Sequence, residues 1–503
     1  MSTSDKNPAP TGAGEPSSPE ASKGLIDRLF EPVDNASIVL FRIAFGAIMF
    51  WEVWRYIGYD WIKPSFIDPK FNFPFLGFGW LSPLPGAGMY MLFFVLGILA
   101  ILITIGLWYR VSAALFFVGF SYVFLLDRTY YLNHFYLICL LSFLMIFIPA
   151  HRDLSFDSRN NPGLRSTQAP AWALWLLRFQ IAIPYFFGGV AKINNDWLFR
   201  LEPIGTWLRE STDFPVIGPW LGTDSTAYLF SWSGTLFDLA IVPLLLWPRT
   251  RKAAFAAALL FHLMNARLFQ IGIFPWFMIC ATTLYFAPDW PRRTRFWPKA
   301  DKGAVKKPRT RKTKKGAKAS APPATTSHEI SPQRKQVIAG LLATYVAFQL
   351  LMPLRQFIYP GDPSWTTEGH IFSWRMKLTR KIGELRFRLT EPDTKQEWDV
   401  DPRTLIGQRQ STVMTDPQVI HQFAHLLRDE YREQGHGHVE VRVDAKLNLN
   451  SSPPRVLIDP QVNLAAEPRN LWHKPWIYPK HEAPLVERSS AEPETSEEKA
   501  VDQ

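Results

Sequence analysis

Residues 178–197 read RFQIAIPYFFGGVAKINNDW, an apolar helical segment that ends in a glycine pair and one lysine, Lys192. An apolar helix of about 20 residues can cross about 30 Å of hydrocarbon. A lysine at the end of such a helix can anchor it at the membrane interface or serve as an active-site base. Both interpretations are open for this segment taken alone.

Comparable apolar segments recur along the chain, which has 503 residues and is 47% hydrophobic. They predict a polytopic α-helical membrane protein of about nine spans. The pair on either side of Gly272 is the weakest assignment, because a single glycine separates the two segments. The predicted spans are residues 38–57, 89–107, 111–127, 132–150, 171–191, 227–247, 253–271, 273–287 and 336–353.

Basic residues set the predicted orientation. Residues 292–318 hold five Arg and eight Lys against one Asp, a net charge of +12, while the whole chain carries +11. Such a cluster between apolar segments is typical of a cytoplasmic loop. We therefore expect a cytoplasmic amino terminus, membrane lipid as a partner and no nucleic-acid partner.

The segment after the last span differs in character. Residues 354–480 contain short alternating runs around one amphipathic helix near 416–433, and they predict an extra-cytoplasmic, mostly β, substrate-binding domain. The remaining predicted parts are a disordered tail at 1–30, a transmembrane catalytic domain at 31–290, a basic cytoplasmic linker at 291–335, the last transmembrane helix at 336–353 and a disordered acidic tail at 481–503.

Under this topology, Asn133 and His134 begin a span at the outer side, where the Lys192 helix ends. These three side chains can then share a pocket at one membrane depth. The segment FHLMNARLFQIG adds His262 and Asn265, which are three residues apart and share a helical face. Polar groups in a membrane helix face protein or water, so both a structural hydrogen-bond network and a catalytic role are open for this pair.

Metal chemistry finds no support in the sequence. The chain has two cysteines, Cys139 and Cys280, and both lie within apolar spans. They suit neither a disulfide framework nor a zinc site, and we predict no metal.

Five motifs resemble the vitamin K-dependent gamma-glutamyl carboxylase family, in which a horizontally transferred transmembrane domain precedes a carboxylase-type β domain. The resemblance covers about residues 30–480 and suggests a bacterial member. In chain order, the motifs are FRIAFG, YVFLLDRTYYLNHFYL, YFFGGVAKINNDW, FHLMNARLFQIGIF and HIFSWRMKL.

The resemblance implies an enzyme with two coupled reactions. Reduced vitamin K, a naphthohydroquinone, would be converted with O2 to its epoxide, while a protein or peptide glutamate loses a γ-proton and gains CO2. The family's initiating base is a lysine, which Lys192 matches, and an apolar setting favours the neutral amine that a base requires. The resemblance also places Asn133 and His134 beside the quinone, as catalytic and cofactor-binding residues. His262 and Asn265 are further candidates for cofactor binding.

The motif TEGHIFSWRMK, with His370 and Trp374, resembles the region that family members use for the glutamate substrate. A tryptophan in such a run can equally belong to a β-domain core. Arg375, Arg386 or Arg409 could hold a carboxylate, and we include Arg409 with His370 and Trp374 as the predicted substrate-binding residues.

The chain also departs from the family pattern. Ala191 stands before Lys192 where the family has two successive lysines, so we expect one amine there. The chain ends in AVDQ without an ER-retention signal, which suits a bacterial inner membrane, with the ER membrane expected in a eukaryote. Two alternatives stay open: a quinol epoxidase of the same family without carboxylation, and a non-enzymatic membrane protein or transporter.

Overall fold

The structure is a computed structural model that describes residues 24–298 and 330–486. Most of the two predicted tails and of the basic linker lies outside these residues. Within them, Leu25–Leu29 form a short helix and Leu485 pairs with Arg455 in a β-bridge. The predicted disordered tails therefore began and ended too far inside the chain.

The membrane region is helical apart from one short antiparallel pair, β1 (Pro32–Asp34) and β2 (Gln168–Pro170). Its helices are α1 (Leu25–Leu29), α2 (Ala36–Gly58), α3 (Gly88–Ile105), α4 (Tyr109–Leu126), α5 (Asn133–Phe147), α6 (Phe156–Asn160), α7 (Ala171–Lys192), α8 (Asn195–Leu198), α9 (Ile204–Glu210), α10 (Gly218–Leu221), α11 (Asp224–Leu246), α12 (Arg251–Phe269), α13 (Phe274–Thr282) and α14 (Pro332–Leu354).

A helix occurs at each of the nine predicted positions, but the count of nine spans is not confirmed. Among the described residues, six helices are long and apolar enough to cross a membrane: α2, α3, α4, α7, α11 and α14 with its short extension. Helices α5 and α13 are apolar but shorter. Helix α12 has the length, yet it is rich in alanine and carries polar and basic side chains.

Helices α12 and α13 are separate, as predicted. The chain turns between them through two residues in the left-handed region, Gln270 at φ 45° and Gly272 at φ 57°. Glycine adopts this conformation without steric cost, so it ends one helix and allows the next to begin.

The C-terminal region confirms the predicted mostly-β domain. A four-stranded antiparallel sheet has the order β4-β3-β5-β6, and α17 packs on it through a buried face that includes Phe423, whose ring centroid lies 5.1 Å from that of Phe387. The elements are α15 (Pro363–Thr366), β3 (Lys381–Glu391), β4 (Gln396–Val400), α16 (Gln408–Thr412), α17 (Pro417–Glu433), β5 (Glu440–Leu449) and β6 (Arg455–Val456).

The two regions interlock rather than meet at residue 354. Phe71 and Phe73, from the loop between α2 and α3, belong to the hydrophobic core of the sheet domain. In the opposite direction, Trp374 belongs to the core of the membrane region. The segment after α14 therefore lies on the ends of the membrane helices before the chain enters the sheet.

Candidate functional site

A cavity of about 410 Å³ lies among α7, α11, α12 and α13 and is closed at one side by Met376 and Lys377. Its walls are mainly apolar, as expected for a site that binds a hydrophobic small molecule. The polar and charged side chains that line it are Tyr185, Lys192, Ser233, Asp238, His262, Asn265 and Lys377.

Lys192 is the last residue of α7 and is 8% exposed. Its Nζ donates a hydrogen bond to Oδ2 of Asp238 on α11, and it lies 5.6 Å from the ring centroid of Trp197. A buried charge is stable only with a partner of opposite charge and further polar contacts, and Asp238 supplies that partner. Lys192 is therefore a buried member of an ion pair rather than an anchor that extends into the interface.

The glycine pair of α7 makes room for this arrangement. A Cβ on Gly188 would lie 3.5 Å from Oδ2 of Asp238 and 3.1 Å from Cε of Met376. A Cβ on Gly189 would lie 2.8 Å from Cδ2 of Leu239 on α11. Small residues let two membrane helices approach closely, and here the approach brings the Asp238 carboxylate within reach of the Lys192 amine.

His262 lies deep in the cavity wall, 1% exposed. Its Nε2 is 2.6 Å from the hydroxyl oxygen of Tyr185, while its Nδ1 has no hydrogen-bond partner among the described residues. Asn265, one helical turn further along α12, also lines the cavity. The predicted cofactor-binding pair is thus in the same cavity as Lys192, and one ring nitrogen is left for a ligand.

Asn133 and His134 do not line this cavity. The His134 ring stacks on Phe274 at 5.6 Å between centroids, and Phe274 is itself a cavity wall. Asn133 accepts a hydrogen bond from the Tyr131 hydroxyl at 3.0 Å and donates one to the Arg375 carbonyl at 3.3 Å. The expected common pocket with Lys192 is therefore not formed, because topology sets the depth of a residue in the membrane and not its lateral position.

The predicted substrate-binding residues are dispersed. Trp374 is 1% exposed and packs in the membrane core, with its ring 5.1 Å from that of Tyr136. Burial, with the positive charge of Arg375 nearby, lowers the pKa of His370 to about 3, so this imidazole is neutral at physiological pH. Arg409 is exposed and lies over the Tyr130 ring at 5.0 Å.

The two other arginines already have partners. Arg375 is buried and donates hydrogen bonds to Gln356 at 2.8 Å and Ser364 at 2.5 Å. Arg386 lies on the outer face of the sheet, 3.3 Å from Asp401. Neither residue lines the cavity.

Sequence reasoning missed three cavity residues, namely Asp238, Tyr185 and Lys377. Asp238 had a usable signal, since an acidic residue inside an otherwise apolar membrane helix usually has a functional partner. Tyr185 and Lys377 had none, because their positions depend on how α7 and the segment after α14 pack. Among the described residues, no group of three His, Cys, Asp or Glu side chains could hold a metal ion.

Two family models match the chain. Residues 30–290 match the HTTM domain, and residues 334–483 match the vitamin K-dependent gamma-carboxylase lumenal domain. No solved structure matches the chain. The second match assigns the C-terminal domain to the non-cytoplasmic side, and the first coincides with the helices around the cavity. The protein is thus a multi-pass membrane protein of the gamma-carboxylase type, and the chain belongs to the vitamin K-dependent gamma-carboxylase family.

Proposed function

We propose that this protein is a gamma-glutamyl carboxylase that couples the O2-dependent epoxidation of reduced vitamin K to CO2 addition at a glutamate γ-carbon. One observation carries the proposal: a lysine amine and a carboxylate form a buried pair on the wall of a mainly apolar cavity. A buried acid–base pair beside a ligand-sized apolar space is typical of an active site that moves protons.

The cavity residues fit a reduced naphthoquinone. Apolar walls of Phe, Leu, Met and Ile suit its rings, and the partner-free Nδ1 of His262 and the amide of Asn265 suit its oxygens. When bound, reduced vitamin K supplies, by its oxidation, the driving force for removing a weakly acidic γ-proton. Leu229 and Leu260 line the cavity and are also exposed on the outside of α11 and α12, so the cofactor enters from the lipid.

The Lys192–Asp238 pair provides the base. Burial disfavours separated charges, and the attraction between partners favours the ion pair, so the two charged groups and the two neutral groups are linked by one proton transfer. Asp238 takes the proton from the Lys192 ammonium along their hydrogen bond and leaves a neutral amine. This amine then accepts a proton from the bound hydroquinone.

The other predicted residues have supporting roles in this proposal. His134 and Asn133 act from behind Phe274, where His134 supports the wall and Asn133 holds the Arg375 backbone. His370 and Trp374 fix the segment that brings Met376 and Lys377 to the cavity. Arg409, exposed on the sheet domain, contacts the peptide outside the cavity. We further propose a cytoplasmic amino terminus and a bacterial inner-membrane location.

The test uses purified full-length protein with reduced naphthoquinone, O2, labelled bicarbonate and a glutamate-containing peptide. We expect quinone epoxide together with acid-stable label in the peptide. Epoxide without labelled peptide would replace the carboxylase by a quinol epoxidase. A folded protein that gives neither product would reject both activities and favour a non-enzymatic or transport function.

A further inference from the structure

Lys377 is a second amine at the cavity, and it comes from a part of the chain distant from Lys192. It lies in the segment between α14 and β3, and both lysines line the same cavity. Lys192 is buried at the wall, whereas Lys377 is exposed at the side where the membrane region meets the sheet domain. An anion that approaches from outside therefore meets Lys377 before Lys192.

The backbone holds Lys377 in this position. Trp374 and Leu378 on either side are buried, and Met376 packs against Gly188. Lys377 itself has φ 51°, in the left-handed region that residues with a Cβ rarely adopt. Such conformations persist only where the surroundings enforce them, and they occur most often at functional sites.

Two aromatic rings surround the amine. The Lys377 Nζ lies 5.2 Å from the ring centroid of Trp207 on α9 and 5.9 Å from that of Phe269 at the end of α12. Aromatic faces stabilise an ammonium without neutralising its charge. Lys377 thus presents a positive charge at the mouth of an apolar cavity.

We propose that Lys377 binds the carboxylate of the substrate glutamate at the cavity mouth and orients its γ-carbon towards the interior. This inference rests on the proposed carboxylase function and adds the substrate subsite to it. An ammonium donates charge-assisted hydrogen bonds to a carboxylate, and the carboxylated product, with one more negative charge, binds the same group. Lys377 also supplies the second amine that the Ala191–Lys192 sequence lacks, although at a different place.

The experiment compares Lys377→Met and Lys377→Arg with wild type, in neutral-lipid nanodiscs so that no lipid anion competes. The probes are a labelled peptide with one glutamate and the same peptide with glutamine. We expect Lys377→Met to weaken glutamate-peptide binding by about tenfold, to raise KM with little change in kcat and to remove the preference for glutamate over glutamine, whereas Lys377→Arg retains most of that preference. Lys446→Met, on the outer face of the sheet, is the matched control and should bind as wild type.

Unchanged discrimination between the two peptides in Lys377→Met would overturn the proposal. Loss of epoxide formation in a peptide-free assay would also overturn it, because Lys377 would then act on the quinol. Peptide binding is measured without quinol, so it reports on Lys377 even if wild-type protein forms no epoxide. Absence of epoxide would count against the proposed function alone.

Discussion

At the scale of single residues, Asp238 decides whether Lys192 can act as a base. An asparagine at this position keeps a hydrogen bond but cannot accept the ammonium proton. It also leaves a buried charge without its counter-ion. We expect Asp238→Asn to lower the rate of epoxide formation by about 100-fold or more, within the range for loss of acid–base catalysis. Steady-state epoxide assays over a range of quinol concentrations measure this rate.

The control for Asp238→Asn is Asp224→Asn on the same helix, where the side chain is 90% exposed. It should leave the rate unchanged. The double variant Lys192→Ala, Asp238→Asn should be no slower than Lys192→Ala, because residues that act as a unit are not additive. Independent, multiplicative losses would show that the two residues do not share one proton.

At the scale of helices, the packing of α7 on α11 depends on Gly189. Its substitution by alanine would bring a Cβ to 2.8 Å from the Leu239 side chain and 3.1 Å from the Leu239 backbone nitrogen. Overpacking of this kind costs about 1–3 kcal/mol, so Gly189→Ala should lower the thermal inactivation temperature and separate Lys192 from Asp238. Gly234→Ala on α11 has no atom within 4 Å of the new Cβ and should be neutral or slightly stabilising. Equal inactivation temperatures for the two variants would contradict this account.

The helices were more predictable than the site they form. Apolar length located a helix at each expected position, and alternation located the β domain with α17. Depth in the membrane was also inferred, but lateral position was not, so His134 was expected beside Lys192 and instead lies behind Phe274. Asp238 and Lys377 reach the cavity through packing between segments far apart in sequence. No local pattern encodes such contacts.

At the scale of the whole molecule, the joint between the membrane region and the sheet domain is sensitive to acid. Arg128, after α4, pairs with Asp416, the N-cap of α17, at 2.9 Å. Burial raises the pKa of Asp416, but Arg128 and hydrogen bonds from Thr367 and the Gln418 N–H outweigh burial and hold that pKa below its usual value. A carboxyl with a lowered folded-state pKa stabilises the fold above its unfolded value, near 4, and this stabilisation is lost as pH falls through the folded value. The joint should therefore be intact at pH 6 and weaken below about pH 4.

Hydrogen exchange of the first turn of α17, measured in nanodiscs between about pH 6 and 3, tests this joint after correction for intrinsic exchange. Protection of this turn should fall at the acid end. In Arg128→Met, protection should already be low at pH 6, since Asp416 loses its charged partner, and it should change less with pH. Arg403→Met is the matched control, because that exposed arginine pairs with Asp401 away from the joint. Protection in wild type that stays constant to pH 3 would show that Asp416 does not hold the two regions together. The Lys377 segment would then depend on its own buried anchors, Trp374 and Leu378, to reach the cavity.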